Sequence, residues 1–295
     1  VTGVQTCALP IYPSRAALLT GRLPYRIHKK RTTWAAVPSH EFTMAEMLSG
    51  QGYKTACIGK WHLGMGEGSH PLDQGFKYFY GMAGSNDAPI RKRSGFERTL
   101  EDVRHASFSD FNIKLYRQHD IIEDTVQQDL LTQRYTEESL SWIKENSEGP
   151  FFLYLAHNMP HVPIYASEKF KGKSKAGLYG DVIEEIDWSV GEIMHILEET
   201  KVAKNTLVVF SSDNGPWLTY YDLGGSPGHL RDGKFTAWEG GFRVPGLFWW
   251  PGTIKPGVID DIGANVDLMA TVASLAGASL PNDRFYDSHD LSPTL

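Results

Sequence analysis

Cysteine is scarce: Cys7 and Cys57 are the only two in 295 residues. That number excludes a disulfide framework and a cysteine-based structural zinc site. No stretch approaches the roughly 20 apolar residues that cross a bilayer. The longest apolar runs, such as 151–156 and 207–210, have the length of buried strands. Positive charge is not in excess either. The net charge of -6 comes from scattered Asp and Glu, which argues against a nucleic-acid-binding face. No basic segment followed by an apolar one opens the chain, so no export signal is visible. Internal repeats and low-complexity tracts are missing as well.

What is present suits a large core: 41% of the residues are hydrophobic and 12% aromatic. Short apolar runs alternate with amphipathic stretches, which predicts an α/β architecture. Strands are expected at 54–59, 151–156, 206–211 and 244–249, and their near-continuous apolar character suits central strands covered on both faces. A helix is expected over 179–199, where Ile183, Ile186, Val190, Ile193, Met194 and Leu197 recur at steps of three and four. Further helices are expected at 42–49, 130–144 and 266–276, the last closed by Gly277. The polar, weakly periodic stretch 84–120 reads as a long surface excursion.

Several short clusters carry chemistry. Asp213-Asn214-Gly215-Pro216 follows a predicted strand and offers hard oxygen ligands suited to calcium or magnesium, or else an ordinary Asx-turn. Lys60 and His62 stand two apart past another strand, so an extended backbone aims both to one side, toward an oxyanion. The alternative is a solvated lysine and a histidine packed on Trp61. His157 and His161 flank a proline-stiffened loop after the strand 151–156, where either could donate a proton, ligate a metal or serve structure. Lys234 lies in a glycine-rich loop that lets the backbone approach a ligand, although such lysines are commonly just exposed. Pro13 suits the first turn of a helix ended by Gly21, which places Ser14 and Arg15 where a helix favours an anion. Cys57 reads as a small core residue. Several strand and helix ends thus each present cations or hard oxygens, and together they specify an oxyanion site that also holds a hard metal.

These residues resemble the formylglycine-dependent sulfatases of the alkaline-phosphatase-like superfamily. The signature Pro13-Ser14-Arg15, closed by Thr20-Gly21-Arg22, is followed in family order by GKWHLG (59–64), HNMPHVP (157–163), SSDNGP (211–216) and GKFTAWEGGFRVP (233–245). The stretch LYGDVIEEIDWSVG (178–191) also looks like a helix of arylsulfatase-type members. The resemblance implies a mostly parallel central sheet with helices on both faces, truncated at both ends. It places the family's oxidised Cys or Ser at position 11, where this chain has Ile11, and Cys7 lies too far upstream to replace it. Residues 1–11 resemble a translated sequencing adapter and are expected to be non-native. Residues 12–295 are then expected to be an incomplete catalytic domain, without an upstream Asp-Asp pair and a C-terminal subdomain.

For the intact enzyme the resemblance implies hydrolysis of sulfate esters, of sulfated carbohydrates or aryl sulfates, by a hydrated formylglycine. It also implies a Ca2+ ion held in part by Asp213 and Asn214. Arg15, Lys60 and Lys234 are implied as clamps on formylglycine and sulfate, His161 as general acid, alone or together with Lys234, and His62 as the base that ejects sulfate; His157 receives no firm role. The implied partners are a sulfate ester substrate and a formylglycine-generating enzyme, and the implied location is periplasmic, secreted or lysosomal. Two other readings are a phosphoester or phosphonate hydrolase of the same superfamily and a catalytically dead protein that binds sulfated glycans. Ile11 is the only support for the last.

Overall fold

The computed structural model describes residues 5–7, 11–27, 36–87 and 100–295. The first part of the chain forms β1 (Gln5–Cys7), α1 (Ile11–Thr20), α2 (Pro24–Ile27), α3 (Met44–Gly50), β2 (Lys54–Lys60) and β3 (Tyr78–Met82). Next come α4 (Leu100–Arg104), the hairpin β4 (Leu115–Arg117) and β5 (Asp120–Glu123), α5 (Leu131–Asn146) and β6 (Phe151–Ala156). The remainder contributes α6 (Gly177–Glu199), β7 (Val208–Ser211), α7 (Glu239–Phe242), β8 (Arg243–Val244), β9 (Gly246–Trp249), β10 (Ile262–Ala264) and α8 (Leu268–Leu275).

The largest sheet runs in the order β5-β4-β3-β2-β6. Its centre is parallel, with Cys57 beside both Phe79 and Tyr154, while β4 and β5 add on antiparallel. A tight turn suffices to join antiparallel neighbours, whereas parallel ones need a crossover. The expected mostly parallel sheet is therefore mixed, and its antiparallel edge lies inside the stretch read as a surface excursion. Part of that stretch, 88–99, lies outside the described residues.

Strand β2 divides the core. Ala56 and Ile58 join Tyr80 and Met82 beneath Tyr135, Trp142 and Ile143 of α5 and Ile193, Ile196 and Leu197 of α6. Cys57 and Phe79 face the other way, against Ala16 and Leu19 of α1, Met44 to Leu48 of α3, and Leu268 and Met269 of α8. Alternating side chains thus bury both faces of one strand, and helices cover the sheet on both sides as expected. Burial pushes the Cys57 thiol well above its usual range, which fits a packing residue.

Two smaller sheets flank this layer. β7 pairs antiparallel with β9, and β1 lies between β10 and β8. The predicted strand 244–249 is broken at Pro245 into β8 and β9, which pair with different partners, because proline cannot donate to a ladder. Of residues 1–11, only Gln5–Cys7 and Ile11 are among the described ones. Gly21, at φ 67°, ends α1 with its N–H on the Ala17 carbonyl. A third apolar cluster packs Met159, Val162 and Ile164 with Val182 and Ile186 of α6 and with Tyr220 and Leu223. It seats the loop after β6 against the loop after β7.

Candidate active site

The site forms where β2, β6 and β7 release the chain at their carboxyl ends. Trp61 and His62 continue past β2 by donating backbone N–H groups to Met82 and Ala83, at 3.0 Å each. His62 turns there with φ 59°. Lys60 is 1% exposed and its Nζ donates to Ser85 Oγ at 3.3 Å.

Arg15, on α1, ties this strand end to the next. Its Nε lies 2.9 Å from Asp213 Oδ2, its Nη1 donates to the Lys60 carbonyl, and Tyr154 of β6 interacts with the same guanidinium. Asp213 Oδ1 accepts from Asn214 Nδ2 at 2.6 Å. The loop carrying both then docks on the glycine-rich loop: Gly215 N–H reaches Gly241 O at 2.9 Å, and Lys234 N–H reaches Pro216 O at 2.8 Å. A Cβ at Gly215 would lie 1.8 Å from Gly240 O, so only glycine permits this approach.

His161 is held from two sides. Its Nδ1 sits 2.7 Å from Val162 O; the carbonyl can only accept, so Nδ1 carries the proton and the neutral ring keeps a lone pair on Nε2. Asn86, fully buried, donates Nδ2 to the carbonyls of His161 and Pro163 at 2.9 and 3.1 Å, while Gln128 Nε2 donates to Asn86 O at 3.1 Å. His157 faces elsewhere. Its Nε2 lies 3.1 Å from Ser189 Oγ, which accepts from Thr136 Oγ1 at 2.6 Å. That ring serves the contact with α5 and α6.

Electrostatics confirm the convergence. Burial first, then the nearby Arg15 and Lys234, lower Lys60 to about 7 against the opposing Asp213 and Asp87. Burial also lowers Lys234 to about 8, opposed by Asp213 and Asp87. Burial, then Lys60, Arg15 and Lys234, bring His62 down to about 2. His161 is held well below its ordinary value by burial and then by Lys60 and Lys234. Lys234 Nζ stands 4.6 Å from the Trp217 ring centre, and the His161 ring lies 5.7 Å from that of Trp217. Arg15, Lys60, His62, His161, Asp213, Asn214 and Lys234 thus share one opening rich in positive charge.

A family model for sulfatases matches residues 2–278. The chain belongs to the sulfatase family. Among curated relatives it is 36% identical to human steryl-sulfatase, covering 96% of this chain and 61% of that protein. It is 39% identical to human N-acetylgalactosamine-6-sulfatase, covering 96% of this chain and 56% of that protein. Among solved structures the PsFucS1 sulfatase from Pseudoalteromonas sp. superposes with a TM-score of 0.79 at 32% identity, covering 98% of this chain and 63% of that one. The chain therefore spans roughly half to three-fifths of the length of these curated relatives. A phosphonate monoester hydrolase from Silicibacter pomeroyi shares the fold at 17% identity and a TM-score of 0.66.

Among the described residues of this sulfatase-family chain, the donor set for a hard cation is incomplete. Asp213 is engaged by Arg15 and Asn214, and no group of three or more His, Cys, Asp or Glu among the described residues could hold a metal ion. A divalent ion needs about six oxygen ligands, so these residues do not make its site alone. No helix among the described residues is long and apolar enough to cross a membrane.

Sequence reasoning passed over Ser85, Asn86, Asp87 and Tyr154. The first three sit at the start of a polar stretch with no periodicity to single them out. Tyr154 was hidden in an apolar strand, although a tyrosine amid FFLYLA was a signal, since a buried hydroxyl needs a partner.

Proposed function

We propose that the intact protein hydrolyses sulfate esters at this opening, with a formylglycine nucleophile at position 11. The reading rests on one observation: Lys60, at the end of β2, and Lys234 and His161, from two separate loops, crowd together, so that Lys60 and Lys234 disfavour the charged form of His161, and Lys234 that of Lys60. Such a pocket is poised for an anion, which would relieve that repulsion.

In this reading Lys60 and Lys234 hold the sulfate oxygens. Arg15 acts mainly through Asp213 and the Lys60 carbonyl, fixing both in place. An arriving sulfate offsets the cations that lower His161, so its Nε2 takes up a proton and can give it to the leaving oxygen. His62, also kept neutral, is the base that accepts a proton from the nucleophile's remaining hydroxyl when sulfate departs. Calcium in the intact enzyme would be held by Asp213 and Asn214 only with further oxygen ligands from outside the described residues. A formylglycine-generating enzyme would supply the aldehyde, and export to a periplasm, lysosome or cell exterior is part of the same reading.

Isoleucine has no nucleophilic atom, so this chain should bind sulfate esters without turning them over. The test compares the chain with an Ile11→Cys version of the full-length gene product coexpressed with a formylglycine-generating enzyme. Hydrolysis of a chromogenic sulfate by the second alone is the expected result. Hydrolysis by the unrepaired chain would overturn the assignment of position 11, and faster cleavage of the matching phosphate would overturn the sulfate assignment. Ile11 also favours a second reading, a protein that binds sulfated glycans without cleaving them. A native gene that encodes Ile11 would select that one.

A further inference from the structure

Beside the cationic opening stands an exposed aromatic wall that the chemistry above does not use. Phe235 is 63% exposed and sits at φ 72°, a conformation that is strained for a non-glycine residue. An apolar ring held in water and in strain needs surroundings that enforce it. Here they do: Gly233 N–H bonds Asp232 Oδ1 at 2.8 Å, Thr236 Oγ1 bonds Gly233 O at 2.8 Å, and Gly240 N–H bonds Arg231 O at 2.8 Å. Phe235 meets the half-buried Trp217 edge to face at 5.3 Å and 79°. Lys234 Nζ lies 4.6 Å from the Trp217 ring and 5.3 Å from that of Phe235. The His161 ring also adjoins Trp217. The wall therefore adjoins both the group that holds sulfate and the group that faces the leaving oxygen.

We infer that Phe235, braced by Trp217, is a specificity-determining residue that selects sulfate esters carried on a sugar ring. This rests on the sulfate-ester reading given above. The C–H face of a pyranose lies flat on an exposed aromatic ring, and such contacts are worth roughly a factor of three to ten in affinity. A sugar rather than a bare aryl group is favoured by the polar side chains around the wall. Exposed Arg231, stacked 3.5 Å over Trp238, and exposed Asp232 sit in the same loop. They can meet hydroxyl groups that an aryl ester does not have.

Titration calorimetry on the full chain with inorganic sulfate, a monosulfated hexose and phenyl sulfate tests this. The hexose sulfate should bind roughly three- to ten-fold more tightly than inorganic sulfate. Phe235→Ala should erase that advantage and leave inorganic sulfate unchanged, and Phe235→Tyr should restore it. Phe235→Gly relieves the backbone strain, so it should lose the advantage while melting no lower than the parent. Equal binding of hexose sulfate and sulfate, or an advantage that survives Phe235→Ala, would overturn the inference and leave the anion site standing. A phenyl sulfate preference that depends on Phe235 would overturn the choice of sugar. Failure of inorganic sulfate to bind at all would instead overturn the underlying sulfate reading.

Discussion

Arg15 and Asp213, 198 positions apart in sequence, meet through a 2.9 Å contact between Nε and Oδ2. The pair joins α1 to the loop after β7, and the same guanidinium bonds the last carbonyl of β2. Removing Arg15 would leave a carboxylate and a carbonyl short of partners. Arg15→Met should cost about 2–3 kcal/mol in denaturant unfolding. Arg15→Met combined with Asp213→Asn should recover more than half of that loss, because no stranded charge remains. A fully additive double variant would show that the two act independently.

Anion binding should depend on pH through Lys60 and Lys234. Their values near 7 and 8 mean that both are mainly charged at pH 6 and mainly neutral at pH 9. Affinity for inorganic sulfate should therefore fall at least ten-fold from pH 6 to pH 9. A flat profile in titration calorimetry would remove these amines from the site.

The histidines predict the response to acid. His157 is lowered to about 4 from an ordinary 6.5 by burial, so the unfolded chain binds its proton first. Stability is then lost as pH falls from about 6.5 toward 4, by on the order of 2–3 kcal/mol from this residue. His62, held near 2, extends the same trend. Urea midpoints at pH 7, 5.5 and 4 should drop less steeply for His157→Asn than for the parent.

Gly215→Ala should separate the two loops that carry Asp213 and Lys234. The added methyl would meet Gly240 O at 1.8 Å, so one loop must move. The expected cost is about 2–4 kcal/mol in stability, with sulfate affinity reduced alongside. Unchanged sulfate binding would mean that the contact does not position Lys234.

Much of this was legible from residue order. Isoleucines and valines at helical spacing give α6 almost to its ends, and 130–144 becomes α5 shifted by one or two residues. The helix expected at 42–49 begins at Met44 because Thr43 and Glu46 form a capping box, with Thr43 N–H on Glu46 Oε2 at 2.7 Å. Lys60, His161, Asp213 and Lys234 could be singled out because each lies at a strand end, in the loop that follows one, or beside a glycine. The hairpin β4–β5 was not, since short edge strands carry little apolar pattern. Asn86 was not either: its task is to bond two carbonyls 75 and 77 residues onward, and no local spacing encodes that.

Strand β2 carries a consequence for assembly. Both of its faces are buried, so its alignment is fixed by side-chain volume, with Cys57 fitting one helical layer and Ala56 and Ile58 the other. A slip by one residue would thrust Lys60 into an oily layer and empty the anion pocket. Recognition and cooperative folding are thus one event: loosening either layer by heat or proteolysis should abolish sulfate capture within the same transition.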